Sequence, residues 1–495
     1  MPQRSFSRDQ PRLLPLSFAE LVPLDHSLRF VAAFVEALPE ECWQELGIER
    51  EPAQRGAPRY APTMLLLVWL AGFMQGTRTT RKLEYACRYD LVFRWLTGDQ
   101  QPDHNTLWRF YAAHRQTMRA LLRQSVLTAV NAHLADLAEQ AVDGAKVLAN
   151  AARARSLTRE EMERLESRIA AVIADLESQQ HGDEEPPPPS LPAELATQQA
   201  LRERVAEALA QIDADDQKTR INQTDIEARM MKTRQGVRPG YNAQAVVVAL
   251  DAEQAGTSGR LIVQTSVRTA ADDHAHLVEM IAAAQVPGQP VPQTLADGGY
   301  HSGAMLEACA GAGYRVVMPE TQTPAQRRNP YHKDHFIYDA EADSYTCPRG
   351  RELTFRQVQH RKDDGRTLMI YRGDPSHCRS CPAGDACTTS KRWGRTLQVG
   401  CYDDHLQAHR RWMTTDAAQQ AAKRRGPLIE PVFGTIKEQL RAHRFLLRGR
   451  EQVDAEWALL ATAYNLRTLA RIWATNAAFR AALGAAPASH IAAAA

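Results

Sequence analysis

Two apolar, strand-like runs in this 495-residue chain each carry an aspartate directly before glycine. They are EQAVDGAKVLA at 139–149, with Asp143, and QTLADGGY at 293–300, with Asp297. A carboxylate in such a run is expensive to bury unless it is paired or holds a cation. Taken singly, an Asp-Gly step also reads as a turn or a cap. A third acid, Glu430, stands in RRGPLIEPVFGTIKEQLRAHRFLLRGR, residues 424–450. Wound as one helix of about 100° per residue, that segment puts Glu430, Lys437, Arg441, Arg444 and Arg448 on one stripe. Val432, Phe433, Ile436 and Leu440 fall on the opposite side. An ordinary solvated helix face has the same pattern. Two strand acids and a helical acid meeting at one point would instead give three hard oxygen ligands for Mg²⁺ or Mn²⁺. Two such ions about 3.5–4 Å apart would activate an attacking oxygen and stabilise the leaving one at a phosphodiester. Lys437 would hold a DNA phosphate beside them.

The surrounding pattern is consistent with a sheet domain. Strands are expected at 139–149, 241–250, 261–269, 293–300 and 314–319, with a hairpin joining the second and third. Helices are expected at 273–285 and 302–312. Strands and helices alternating in this way argue for an α/β (α+β) fold with helices on the sheet faces. Two segments rich in Glu, Arg, Ala and Leu, 157–178 and 193–212, flank HGDEEPPPPS, which no helix survives. They read as an antiparallel helical arm inserted into that domain. Residues 1–135 read as helical, with apolar periodicity in 63–75 and 81–96. In QPDHNTLWRFYAAHR, Pro102 and Asp103 supply a turn and an N-cap before a short helix with Arg109 and Arg115. A helix-turn-helix DNA reader and a bundle that only packs both fit this set.

The formal net charge of +2 hides an asymmetry. Residues 156–220 hold 15 acids and 7 bases, a net of −8, so the remainder carries +10. A local basic excess suggests a polyanionic partner. In ARMMKTRQGVRPGYNAQ, 228–244, Arg229, Lys232, Arg234 and Arg238 surround Gly236 and Gly240. A flexible basic loop at a strand entry is expected here, either clamping phosphate or simply solvated. The run MLLLVWLAGFM at 64–74 falls short of the roughly 20 residues a membrane span needs. No secretory signal opens the chain, and a cytoplasmic location without membrane contact is the expectation.

Of eight cysteines, Cys42, Cys87, Cys309 and Cys401 are scattered. Cys347, Cys378, Cys381 and Cys387 follow C-x30-C-x2-C-x5-C inside the stretch 321–420. Four thiolates would close a tetrahedral structural Zn²⁺ site, a useful staple for a stretch with few apolar runs. Reduced free thiols or an iron–sulfur cluster are the other readings. Arg349, Arg351, Arg361, Lys362 and Arg379 make DNA contact from this stretch a further expectation.

The motifs VDGAKVLANA, ARMMKTRQGVRPGYNAQAVV, LADGGYHS, EPVFGTIKEQLRAHRFLLRG and EWALLATAYNLRTL together resemble the DDE-type transposases of bacterial insertion sequences. RWLTG and PDHNTLWRF extend the likeness into the N-terminal part, so that it runs over most of the chain. The resemblance implies a ribonuclease H-like catalytic core and the catalytic, Mg²⁺-binding triad Asp143, Asp297 and Glu430. It also implies cutting of double-stranded DNA at terminal inverted repeats and strand transfer of the freed 3′ end into target DNA. Glu430 and Lys437 match the family's Glu-x6-Lys spacing. Related enzymes often carry a Tyr and a correctly spaced Arg before that Glu. Here AAKRRGPLIEP has no Tyr, and Arg424 and Arg425 sit off the register, so no role carries over to those two.

The expected organisation is a helical DNA-binding domain at 1–135 and a first part of the core at 136–320, with the helical insert 156–220. A Cys-rich insertion at 321–420, C-terminal core helices at 421–480 and a tail at 481–495 complete it. Supporting DNA or phosphate contacts are expected from Lys437, Arg441, Arg444, Arg229, Lys232 and Arg238. Joining two element ends calls for a homodimer or a larger synaptic complex. A nuclease of the same fold, or a domesticated DNA-binding regulator without transposition, is the alternative.

Overall fold

The computed structural model describes residues 17–50, 60–180, 193–213, 220–233, 235–269, 276–286, 288–320, 329–361, 367–390 and 392–485. Arg234, Lys362, the HGDEEPPPPS stretch and residues 486–495 of the tail lie outside them. The chain divides into two compact units. The first comprises Met1–Ala271, Ala283–Pro290 and Leu428–Ala495; the second comprises Asp272–Ala282 and Val291–Pro427.

In the first unit, β1 (Ala135–Leu148), β4 (Arg229–Thr233), β5 (Gly236–Leu250) and β6 (Arg260–Arg268) form antiparallel pairs, with β5 between β1 and β6 and also pairing β4. The short strands β2 (Ser156–Leu157) and β3 (Ile221–Asn222) pair at the base of the arm. Helices Arg159–Gln180 and Ala193–Asp213 pack together through Met162, Ile169, Ile173, Val205, Ala208 and Ile212. The expected arm is present, and each helix survives because it buries an apolar stripe on its neighbour.

Helix Arg450–Thr475 organises this unit. It packs on β6 and on helices Ser27–Glu36, Pro62–Met74 and Arg119–Asn131. Almost every residue from Val453 to Trp473 is buried. Polar atoms along it find partners inside the core. Trp457 Nε1 donates to Gln244 O at 2.8 Å. Asn465 accepts from Ile262 N and donates to Ile262 O, each at 2.8 Å. Such satisfied polar contacts fix one register between helix and sheet. Helix Pro62–Met74 is apolar all round and buried, with Pro62 at its first turn, as a fully enclosed helix should be.

The basic segment at 228–244 differs from expectation. It is a hairpin rather than a flexible loop: Arg229 pairs with Gly240, Met231 with Arg238 and Lys232 with Val237. Gly236 takes φ +84 at the turn, a conformation that glycine adopts without steric cost.

The second unit holds the parallel pair β7 (Gln293–Ala296) and β8 (Arg315–Val317), joined through helix Gly303–Gly311. That helix packs on helix Asp403–Met413. Five further strands, β9 (Ile337–Asp339), β10 (Ser344–Thr346), β11 (Glu352–His360), β12 (Thr367–Gly373) and β13 (Thr396–Gly400), form an antiparallel meander. Its small core is Phe336, Tyr345, Leu353, Tyr371, Leu397 and Val399. The cysteine stretch is therefore a sheet, where few apolar runs had been legible.

Candidate active site

Asp143 lies inside β1, half-buried, opposite Ala245 of β5. Its Oδ1 accepts the N–H of Gly144 at 2.8 Å. Asp297 directly follows β7 and caps the 3₁₀ turn Gly298–Tyr300, its Oδ1 accepting from Gly298 N at 2.7 Å. Its side chain is 53 % exposed, and Arg425 Nη2 stands 3.9 Å from Oδ1. Spacing had assigned Arg425 no role; its pairing with Asp297 is visible only in three dimensions.

Glu430 lies on helix Asp416–Glu438 and is exposed. Ile429, Val432, Phe433 and Ile436 are buried on the other side, which is the expected division of faces. The helix carries two interior prolines, Pro427 and Pro431. Each removes an intrahelical donor at a cost of about 3 kcal/mol, and packing of the apolar face offsets it. Gly426-Pro427 also falls where the chain passes from the second unit to the first.

Lys437 is on the same face as Glu430, and its Nζ donates to Lys146 O at 3.4 Å. That contact ties the Glu430 helix to β1, three residues beyond Asp143 in the chain. Asp143 and Glu430 thus belong to one unit, and Asp297 to the other.

The expected ladder of cations on this helix needs correction. The helix ends at Glu438, and Arg441 takes φ +55. Arg441, Arg444 and Arg448 lie on a non-helical segment docked on the end of β1. Leu148 N donates to His443 O at 3.2 Å, and Phe445 N donates to Leu148 O at 2.9 Å. Two remote side chains hold this segment. Arg78 Nη2 donates to Arg441 O at 2.7 Å and to Arg444 O at 3.1 Å. Glu456 accepts the N–H groups of Leu446 and Leu447. Arg441, Arg444 and Arg448 remain exposed, now on a fixed loop. Arg229, Lys232 and Arg238 sit on the β4–β5 hairpin, within the same unit as Asp143 and Glu430.

Cys347, Cys378, Cys381 and Cys387 line one cavity of about 40 Å³ in the second unit. Cys347 Sγ accepts N–H groups from Arg349 at 3.4 Å and Arg351 at 3.3 Å, and Cys378 Sγ accepts one from Arg395 at 3.4 Å. Gly350, in the turn after Cys347, has φ +72. Burial first, then the neighbouring thiols, pushes the Cys387 thiol up, while Arg395 lowers it. By contrast Cys42, Cys87 and Cys309 are core residues, their thiols pushed up by burial to about 12, 12 and 11. Among the described residues no group of three or more His, Cys, Asp or Glu is set close enough to hold a metal ion. The donor chemistry of the four cysteines, with N–H donors aimed at two of their sulfurs, suits zinc.

Two family models match the chain. One, a transposase DDE domain, covers residues 346–470; the other, a transposase domain (DUF772), covers 16–113. Both matched stretches are thus similar to transposase domains, consistent with the DDE transposases of insertion sequences. The DDE match takes in Glu430, Lys437 and the four clustered cysteines, and it carries with it a ribonuclease H-like core; Asp143 and Asp297 fall outside its bounds. The N-terminal match covers the helices from Phe18 to His114 almost entirely. No curated protein matches the chain. Among the described residues no helix is long and apolar enough to cross a membrane.

Proposed function

We propose that the chain is a DNA transposase that binds the terminal inverted repeats of an insertion sequence, cuts phosphodiester bonds there and transfers the freed strand into target DNA. The observation that carries this reading is the exposed Glu430, on a helix tied by Lys437 to the strand that bears Asp143. Asp143, Asp297 and Glu430 would hold Mg²⁺ or Mn²⁺. When bound, a pair of such ions would activate the attacking oxygen and stabilise the leaving one. The chain's own residues do the remaining work. Lys437, Arg441 and Arg444 offer cations to DNA phosphates beside Glu430, and Arg229, Lys232 and Arg238 offer a second basic edge on a rigid hairpin. Both edges stand on ordered backbone, so they orient the duplex rather than merely attract it.

In this reading Cys347, Cys378, Cys381 and Cys387 hold a structural Zn²⁺, drawing the four sulfurs together around the cavity they already line. The chain acts on double-stranded DNA in the cytoplasm, as a homodimer or larger synaptic complex, because two ends must be cut and joined together. The test is cleavage of the element's own end DNA with Mg²⁺, comparing wild type with Glu430→Ala and following binding in parallel. Loss of cutting with retained binding is expected. Equal cutting by both proteins would make Glu430 a surface acid and overturn the triad; binding without cutting by either would favour a DNA-binding regulator.

A further inference from the structure

A cavity of about 390 Å³ lies in the first unit, away from the Glu430–Lys437 face. Helix Arg450–Thr475 supplies one wall: Tyr464, Arg467, Thr468 and Arg471 follow one another at helical spacing on a single stripe. Pro431, Thr435 and Gln439, four apart, line it from the Glu430 helix and its end. Arg260, the first residue of β6, enters from the sheet. Ser27 and Leu28 open it at the N-terminus of the ten-residue helix Ser27–Glu36.

Three guanidinium groups therefore line one cavity, and none of its lining residues is Asp or Glu. Arg467 is half-buried and anchored, its Nη1 donating to Met74 O at 2.8 Å and its Nη2 to Gln439 Oε1 at 2.7 Å. Both partners are neutral, so those bonds aim the guanidinium without cancelling its charge. Burial first, and then the like charge of Arg471, lowers the Arg467 pKa. Burial raises the Tyr464 hydroxyl, while Arg260 and Arg471 pull it back, so both cations act at that ring. A phosphate is the oxygen-rich anion that guanidinium forks match best.

We propose that this cavity binds a phosphate group of the DNA backbone, through Arg260, Arg467 and Arg471, at a point separate from the acid triad. The inference rests on the transposase reading, since that supplies the DNA. It assigns the C-terminal helix a binding role besides its packing role.

The experiment uses the full chain, a fluorescein-labelled mixed-sequence duplex and inorganic phosphate as probes. Arg260→Gln and Arg471→Gln should each weaken duplex binding about tenfold and reduce its logarithmic salt slope by about one. Arg471→Lys should recover most of the affinity. Arg467 is left intact because it also anchors Met74 and Gln439. If the double Gln variant melts like wild type and binds the duplex with unchanged affinity and slope, the DNA assignment is overturned. If phosphate then still raises the melting temperature of wild type and not of the double variant, the cavity is an anion site for a free phosphate compound. Should wild type bind no duplex at all, the transposase reading beneath the proposal fails, and the phosphate arm alone judges the cavity.

Discussion

Arg78 and Glu456, 378 residues apart in sequence, form a buried ion pair, with Nη1 2.7 Å from Oε1 and side chains 7 % and 1 % exposed. Around it the N-terminal helices, the loop after Glu430's helix and helix Arg450–Thr475 are locked into one unit. Burial raises the Glu456 carboxyl, opposed by Arg78 and by the Leu446 and Leu447 N–H groups. Removing one partner of such a pair leaves an uncompensated buried charge, at a cost of about 3–5 kcal/mol. Arg78→Met should lower the urea midpoint accordingly. Glu456→Gln leaves the Arg78 charge buried without a carboxylate and turns its NH2 toward a donor, so it should cost a comparable amount, about 3–5 kcal/mol. Unchanged midpoints in both variants would mean that the pair holds nothing together.

Gly240 faces the backbone of β1. A Cβ built there would stand 2.7 Å from Val147 O, closer than any real contact, with backbone on the other side. Gly240→Ala should therefore push β5 from β1 and destabilise by about 1–3 kcal/mol, five pairs along the ladder from Asp143–Ala245. Gly236→Ala, at a turn with open space around it, meets only its positive φ and should cost about 1 kcal/mol. Thermal melts of the two variants decide whether close approach or backbone freedom matters more.

The strand acids were legible because a carboxylate in VDGAKVL or TLADGG violates the apolar pattern around it. The buried face of Glu430's helix was legible from its 3.6-residue period. The end of that helix was not. LRAHRFLLRGR keeps a helical rhythm, yet Arg78 and Glu456 capture its carbonyl and N–H groups from far away in sequence. Tertiary partners outcompete local propensity there. The sheet around the cysteines was hidden for another reason: in β11 only Leu353 is buried, so the two-residue alternation that betrays a strand is absent. The pairing of Arg425 with Asp297 joins residues whose separation in sequence carries no signal at all.

Acid should destabilise the second unit through His301 and His409. Their rings lie 5.6 Å apart, both buried, with His409 Nε2 donating to Met318 O at 2.9 Å. Burial lowers both pKa values from the ordinary imidazole value of 6.5, with Glu320 opposing and Arg410 adding to the effect. The unfolded chain then takes up protons first. Stability from these groups is complete above 6.5 and is lost as pH falls below it toward the folded values. His409→Gln should flatten this acid dependence while keeping a donor for Met318. A variant whose melting temperature falls with acid as steeply as the wild type would place the acid sensitivity elsewhere.

Zinc makes the sharpest demand on the cysteine cavity. Backbone N–H groups already point at Cys347 and Cys378, and Gly373 and Gly394 leave space where a Cβ would come within 3.2 Å and 3.1 Å of Cys378 Sγ. A tetrahedral ion there would be held by four sulfur bonds, so metal binding and folding of this small sheet should be coupled. Chain purified without chelator should carry one zinc per molecule by elemental analysis, and EDTA should lower its melting temperature. Cys381→Ser should lose the metal and melt early, whereas Cys401→Ser, exposed and outside the cavity, should keep both. Metal-free protein that melts identically with and without EDTA would reduce the four sulfurs to ordinary thiols around a small void, stabilised by Phe336, Leu353 and Tyr371 alone.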